Sequence, residues 1–408
     1  MILKLLAVPS SATTDGRKLI ITRALRAFVD GMVYVMLPGF LLVLGLSGVQ
    51  IGAVVTASLL GSALTTILVG IYGHRIAPAK MLALAAVLMV ATGIAFGVVS
   101  SFVMLLVIGI IGTMNPSAGD VSAFLPLEQA SLSASVTNDQ RTAMFALYNL
   151  SGALVGSIGA LCAAVPLWFA RKQKLTDLTG YRITFFVYAI AGVVVYLIYR
   201  RMSVLSQVKP TGTKSALGDS RRIIFKLAAL FSLDSFGGGF AVQSIFALWI
   251  YRRFDLSIGT LSVVFFATGT LSAISSLLSV RIAKRIGLVR TMVFTHVPAS
   301  VLLIGVALAP NVWLAVTLFI ARGLLSQMDV PVRSSYVMAV VKPHERTAAA
   351  SVTNVPRSLA SALPPIAAGW MLDQSRFAWP LLICAACKII YDFLLLWLFR
   401  HIRPPEEQ

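Results

Sequence analysis

Residues 201–222 read RMSVLSQVKPTGTKSALGDSRR and form the one long hydrophilic connection in the middle of the chain. Apolar runs of about 20 residues recur on both sides of it, each long enough to cross a hydrocarbon core of about 30 Å as a helix. Of the 408 residues, 58% are hydrophobic and 12% charged. A soluble domain carries about 25% charged residues, so this composition cannot cover the chain with a water-facing surface. The runs lack the alternation of barrel strands, which leaves α-helices as the spanning element. The fold class is therefore an all-α polytopic membrane protein.

Breaking the chain at Gly, Pro and charge clusters gives twelve candidate spans. They lie at 21–45, 49–72, 80–99, 101–123, 142–168, 182–200, 223–250, 257–280, 289–309, 311–337, 346–372 and 377–399. The quoted stretch divides them six and six. Residues 1–200 are expected to form one six-helix bundle, 201–222 a cytoplasmic linker and 223–408 a second bundle. The opening MILKLLAVPS is broken by Lys4 and followed by TTDGRK, and reads as a short cytoplasmic tail rather than a signal peptide.

The net charge of +19 reports topology. With both termini inside, the N-terminal segment, the even-numbered loops and the C-terminus, together with the span ends that adjoin them, hold 23 of the 34 basic residues, as the positive-inside rule requires. The odd loops hold seven, of which Arg171, Lys172, Lys174 and Arg182 run against the rule. The expected setting is the cell membrane (inner or plasma), with anionic lipid headgroups beside the basic collar and no nucleic-acid partner. Cys384 and Cys387 have CxxC spacing inside an apolar run, which reads as helix packing.

The two halves repeat. Val29-Asp30 matches Leu233-Asp234, Arg75-Ile76-Ala77 matches Arg281-Ile282-Ala283, and Asp120-Val121 matches Asp329-Val330. Gln140-Arg141-Thr142-Ala143 matches Glu345-Arg346-Thr347-Ala348, and Asn149 matches Asn354. Five matches in order, at offsets of 204 to 209 residues, make two six-helix pseudo-repeats of parallel topology. On these residues the chain resembles the major facilitator superfamily over nearly its full length, and looks most like its drug/proton antiporter-type branches. The opening TRALRAFVDGMVYVMLPGFLLVLGLSGVQIG is typical of them. In the loop after the second span, GIYGHRIAPAK, Gly70, Arg75 and Lys80 fit the family motif. His74 replaces its acid and Ala77 its second glycine. Of the antiporter signature in the fifth span, Gly152, Gly156 and Gly159 survive, and they read as a close helix-packing face.

Ionisable groups in hydrocarbon are expensive and mark candidate function. Asp30 and Asp234 are repeat-related acids near mid-depth and are the first choice for a coupling-proton or substrate site. Arg322 and Arg357 are deep cations, either partners of those acids or anion holders. Tyr34, Asn149, Gln243 and Asn354 are candidate hydrogen-bonding groups of the cavity. Lys388 and Asp392, four residues apart on one helical face, read as a self-neutralising pair, and His296 as a packing residue. The run Gly237–Gly239 softens the seventh span. By depth, Arg75, Asp120, Glu128, Asp329 and Arg333 fall at a cytoplasmic gate. There Asp329 pairs with Arg333 around a helix-loosening Pro331, and Asp120 or Glu128 meets Arg333 on closure.

No metal-ligand cluster, phosphate loop or nucleophile motif is present, so no enzyme and no cofactor is expected. The expected function is a monomeric secondary active transporter that exports a small molecule by alternating access, driven by protons. A uniporter or uptake symporter for a small ion, and a non-transporting sensor or scaffold on the same fold, are the alternatives.

Overall fold

The computed structural model describes residues 9–72, 76–117, 124–137, 140–202, 218, 220–341 and 345–400. Its helices are α1 (Thr14–Val43), α2 (Gly48–Tyr72), α3 (Pro78–Val98), α4 (Phe102–Ile111), α5 (Phe124–Ala134), α6 (Arg141–Cys162), α7 (Val165–Lys172) and α8 (Asp177–Arg200). The second series is α9 (Arg221–Gly239), α10 (Gln243–Phe254), α11 (Ile258–Ile286), α12 (Leu288–Leu308), α13 (Val312–Gly323), α14 (Asp329–Ala339), α15 (Arg346–Ala362), α16 (Pro364–Gln374) and α17 (Trp379–Phe399). Local chemistry sets several starts. Thr13 caps α1 by accepting from Gly16 N, and Asn311 caps α13 by accepting from Leu314 N at 2.9 Å. Prolines open α3, α7, α16 and α17, where the missing N–H costs nothing.

Among the described residues, nine helical stretches are long and apolar enough to cross a membrane. They coincide with nine of the twelve expected spans. The other three, at 101–123, 311–337 and 346–372, are interrupted. The fourth span ends as helix at Ile111, the tenth is split between α13 and α14, and the eleventh between α15 and α16.

Each interruption must satisfy its own backbone, because lipid offers no partner. After α4, Thr113 N donates to Thr92 Oγ1 at 3.3 Å and Thr113 O accepts from the Tyr188 hydroxyl at 3.1 Å. Asn115 Oδ1 accepts from both the N–H and the hydroxyl of Ser117. After α13, Ser272 Oγ donates to Gly323 O at 3.0 Å, and Leu325 N and Ser326 N both fold back onto Arg322 O. The helix restarts at Asp329, so Pro331 sits in the first turn of α14, where no N–H is required. The expected loosening between Asp329 and Arg333 is thus absent, and the break precedes both. Arg322 in the last turn of α13 and Asp329 in the first turn of α14 match the partial charges of the two helix ends they occupy.

The chain packs as two compact units, one of Met1–Leu46, Ala57–Gly212 and Ser257–Phe266, the other of Ser47–Thr56, Thr213–Leu256 and Ala267–Gln408. Within the first, α1 packs on α6 and α8, and α3 on α8. Within the second, α9 packs on α15 and α17, and α12 on α17. These pairings correspond helix for helix under the offset of the internal repeat. Most of the hydrophilic stretch quoted at the outset lies outside the described residues.

Glycines set the closest approach in the first unit. A Cβ at Gly31 would collide with the carbonyl oxygen of Gly156, and one at Gly159 with that of Phe28. A Cβ at Gly156 would instead meet the Ala27 carbonyl oxygen at 3.4 Å, an ordinary contact. The expected outcome is that Gly159→Ala lowers the thermal unfolding midpoint of the detergent-solubilised chain by an overpacking cost of about 1–3 kcal/mol. Gly156→Ala, on the same face, leaves it unchanged; equal effects would show that this backbone contact is not the determinant.

Candidate functional site

The core of the second unit gathers Ile224, Leu227 and Phe231 of α9, Met292 of α12, Tyr336 of α14, and Tyr391, Leu395 and Phe399 of α17. The same helical stripes carry its charges. Asp234 continues the stripe of Leu227 and Phe231, His296 lies one turn beyond Met292, and Lys388 and Asp392 lie two turns and one turn before Leu395. Asp234 is 5% exposed, and Lys388 Nζ donates to its Oδ1 at 2.7 Å while Arg333 donates to its Oδ2 at 3.0 Å. Arg333 also pairs with Asp329 at 3.4 Å. His296 Nδ1 lies 3.1 and 3.0 Å from the two oxygens of fully buried Asp392. Its Nε2 is 3.3 Å from Lys388 Nζ and 3.8 Å from Asp234 Oδ1.

This geometry revises the pairing read from spacing. Lys388 and Asp392 do share a helical face, but each finds its partner on another helix, Lys388 at Asp234 and Asp392 at His296. Arg333 binds Asp234 directly, so the residues assigned by depth to a gate and to a mid-depth site form one network. His296 belongs to that network. Arg357 adjoins it, with Nε donating to Ser235 Oγ at 2.9 Å. Arg322 makes no ion pair among the described residues; its charge acts on Asp329 and Asp234 at longer range, and its Nε is buried without a hydrogen-bond partner.

The first unit holds a second network, centred on Glu128 of α5, which is 0% exposed. Glu128 pairs with Arg26 of α1, and accepts hydroxyl bonds from Thr22 at 3.1 Å, from Tyr199 at 2.5 Å and from Tyr148. The Arg26 guanidinium lies over the Phe124 ring, 4.1 Å from its centroid, and Arg333 lies over Phe231 at 5.4 Å. In this structure Glu128 is therefore bound to Arg26, not to Arg333. Sequence reading missed Arg26; its signal is the buried stripe Leu19, Thr22, Arg26, Val29 on α1.

Asp30 is half-buried on α1 and makes no hydrogen bond or ion pair among the described residues. Arg26 and Arg23, one and two turns back on the same helix, act on it at longer range. Tyr34 is buried edge-on to Phe265, with ring centroids 5.3 Å apart. Gln243 opens α10 half-buried, and Asn149 and Asn354 are exposed on α6 and α15. Arg75 and Asp120 lie outside the described residues.

A third polar group sits at the end of α16. Asp373 accepts from Gly48 N at 2.6 Å and Val49 N at 2.7 Å, closing the N-terminus of α2, and from Arg252 at 2.8 Å. With Tyr251, Asp255 and Arg376 this pair lines a cavity of about 670 Å³. Partial burial works against the Asp373 carboxylate and is outweighed by the Arg252 hydrogen bond and the Val49 and Gly48 N–H groups, so it titrates below the usual carboxylate range.

Paired, broken, repeat-related spans with core-facing charges are the architecture of secondary transporters. The family model described as Major Facilitator Superfamily matches residues 19–251 and 228–408. The chain belongs to that superfamily. Uncharacterized membrane protein YJR124C of Saccharomyces cerevisiae is 23% identical over 420 residues, covering 94% of each chain. Among solved structures of this superfamily's fold, a variant of the nucleoside transporter NupG superposes with a TM-score of 0.74 at 13% identity, covering 95% of this chain and 100% of that one. The xylose transporter XylE from E. coli gives 0.73 at 13% identity, covering 96% and 98%. A bacterial homolog of human Spinster, inward-facing and unoccupied, gives 0.73 at 14%, covering 95% and 96%. As a superfamily member the chain is a membrane transporter.

Removing one partner of a buried ion pair strands the other, at a cost of about 3–5 kcal/mol. Arg26→Leu and Glu128→Leu should each lower the unfolding midpoint sharply, and the double variant should lose much less than their sum. Strict additivity in that cycle would dissolve the proposed unit of interaction. At Asp373 the sign follows from its lowered titration. The contact contributes stability at every pH above the ordinary carboxylate value of about 3.9 and loses it as pH falls through the lower folded value. The unfolding midpoint of the parent minus that of Asp373→Asn should stay constant from pH 8 to 5, at about 1 kcal/mol, and close only below about pH 4.

Proposed function

We propose that this protein is a secondary active transporter that exports a small molecule by alternating access, driven by the proton gradient, with Asp30 as a coupling acid. The observation that carries the reading is the contrast between repeat-mates. Asp234 is bridged by Lys388 and Arg333, whereas Asp30 makes no direct ion pair among the described residues. Adding a proton to Asp234 would strand the Lys388 ammonium and leave Arg333 with Asp329 alone among the described residues. Adding one to Asp30 strands none, so Asp30 can exchange its proton at less cost to the fold. The outward direction rests on the resemblance to the drug/proton antiporter-type branches. The solved neighbours named for nucleoside and xylose transport direct the choice of substrates to test. In this reading the chain is a monomer in the cell membrane with both termini cytoplasmic. Its bundles divide at 201–222, and Glu128, beyond the broken fourth span, and Asp329 and Arg333, in the broken tenth, serve as gate residues of their own units.

The test is flux in proteoliposomes with an imposed pH gradient, using a panel of nucleosides, sugars, divalent cations, lipophilic cations and organic anions. Asp30→Asn should abolish gradient-driven accumulation, by about 100-fold or more, the range of a lost proton-transfer step, and retain exchange of labelled substrate across the membrane without a gradient. Accumulation that survives Asp30→Asn would remove the residue from coupling.

A further inference from the structure

The network around Asp234 is one positive charge short at contact distance. Among the described residues, Asp234, Asp329 and Asp392 face only Arg333 and Lys388 within ion-pair reach, and the remaining member, His296, is neutral or cationic according to one proton. Hydrogen bonding assigns its neutral form. Nδ1 lies 3.0–3.1 Å from both Asp392 oxygens and donates to that carboxylate. Nε2 then carries the lone pair, and Lys388 Nζ, 3.3 Å away, donates to it.

We propose that Nε2 of His296 is a second binding site for the transported proton, and that the proton competes there with the ammonium of Lys388. This deepens the proton-coupled reading above. The step is a simple addition. A proton from water adds to the Nε2 lone pair, and no covalent bond breaks. The Lys388 N–H···Nε2 hydrogen bond is lost, and the new Nε2–H turns to Asp234 Oδ1, now 3.8 Å away. The three carboxylates then face three cations.

The displaced ammonium has a place to go. Lys388 Nζ lies beside Gly238, 3.8 Å from where a Cβ would stand, along the run Gly237–Gly239 that ends α9. Helix C-termini attract cations, and the chain turns at 240–242 before α10 begins. Proton binding at His296 thus shifts a positive charge toward the break in the seventh span.

The groups that face His296 bound the proposal from each packed element. The helix α17 supplies Lys388 and Asp392, and the Tyr391 ring edge-on at 5.9 Å. Asp234 comes from α9. From α14, Arg333 and Asp329 act one carboxylate removed, and from α13 Arg322 acts on those same acids without a bond.

The experiment is nuclear magnetic resonance of the full chain in lipid nanodiscs, with isotope-labelled histidine and protons as the only ligand. The chain has four histidines, and His296→Gln identifies the resonance in question. Expected at high pH is the Nδ1–H tautomer, with Nε2 gaining a proton as the pH is lowered. Lys388→Met should tighten that proton's binding about tenfold or more, the scale of one nearby charge, and Lys388→Arg should leave it within about twofold. An Nε2–H tautomer at high pH, an imidazole still neutral at pH 5, or equal titration in the parent and Lys388→Met would each overturn the assignment. If Lys388→Met does not fold, Lys388→Gln carries the same expectation. No substrate enters the measurement, so a chain that fails to transport would still pass it. A proton-driven transporter whose His296 does not titrate would fail only here.

Discussion

Hydrocarbon offers neither a hydrogen-bond partner nor a counter-ion, and every polar choice in this chain answers to that lack. Where helices stop inside a span, neighbouring hydroxyls take over the released backbone groups, as Ser272 does for Gly323 and Tyr188 for Thr113. Where charges are buried, they sit on the stripe that faces other helices. Asp234, His296, Lys388 and Asp392 each extend a run of core side chains rather than interrupting one.

The two units answer the same constraint with different chemistry. Glu128 is held by one guanidinium and three hydroxyls, an arrangement of donors fixed by aromatic and helical packing. Asp234 is held by two flexible cations, one of them shared with an imidazole. Hydroxyl donors keep a carboxylate in place without competing for each other's protons. Cations and an imidazole around one acid can trade partners at small cost, because each exchange preserves a charge-assisted hydrogen bond. The first network suits a fixed joint and the second suits a movable one.

Much of this was legible before any coordinates. Composition decided the solvent, the apolar runs located the spans, and the offset of about 205 residues exposed the repeat that the helix pairings reproduce. The glycines of the fifth span were readable as a packing face because small residues have few other uses there. Partners were not legible. Counting residues along a helix gives depth but not direction around the axis, so Lys388 and Asp392 looked like each other's counter-ion until α9 and α12 were placed beside them. The same limit separated Arg333 from Asp234. Asp373 was missed because two of its three partners, Gly48 N and Val49 N, are backbone groups that leave no mark in the sequence, and the third, Arg252, lies 121 residues away.

The aromatic–cation contact in each unit carries one more implication. Arg26 of α1 covers Phe124 of α5, while Arg333 of the tenth span covers Phe231 of the seventh. Phe124 and Arg333 are aligned by the repeat, and Arg26 falls within a residue of the position aligned with Phe231. The two halves therefore share a contact whose members have traded places. Compared by identity, the duplicated copies disagree at both positions; compared by what touches what, they agree. A chimera that grafted only one of these helices between halves would bring two guanidinium groups, or two bare rings, to the same spot. The duplicated unit is thus inherited as a pair of surfaces, and its ancestry is better preserved in complementarity than in spelling.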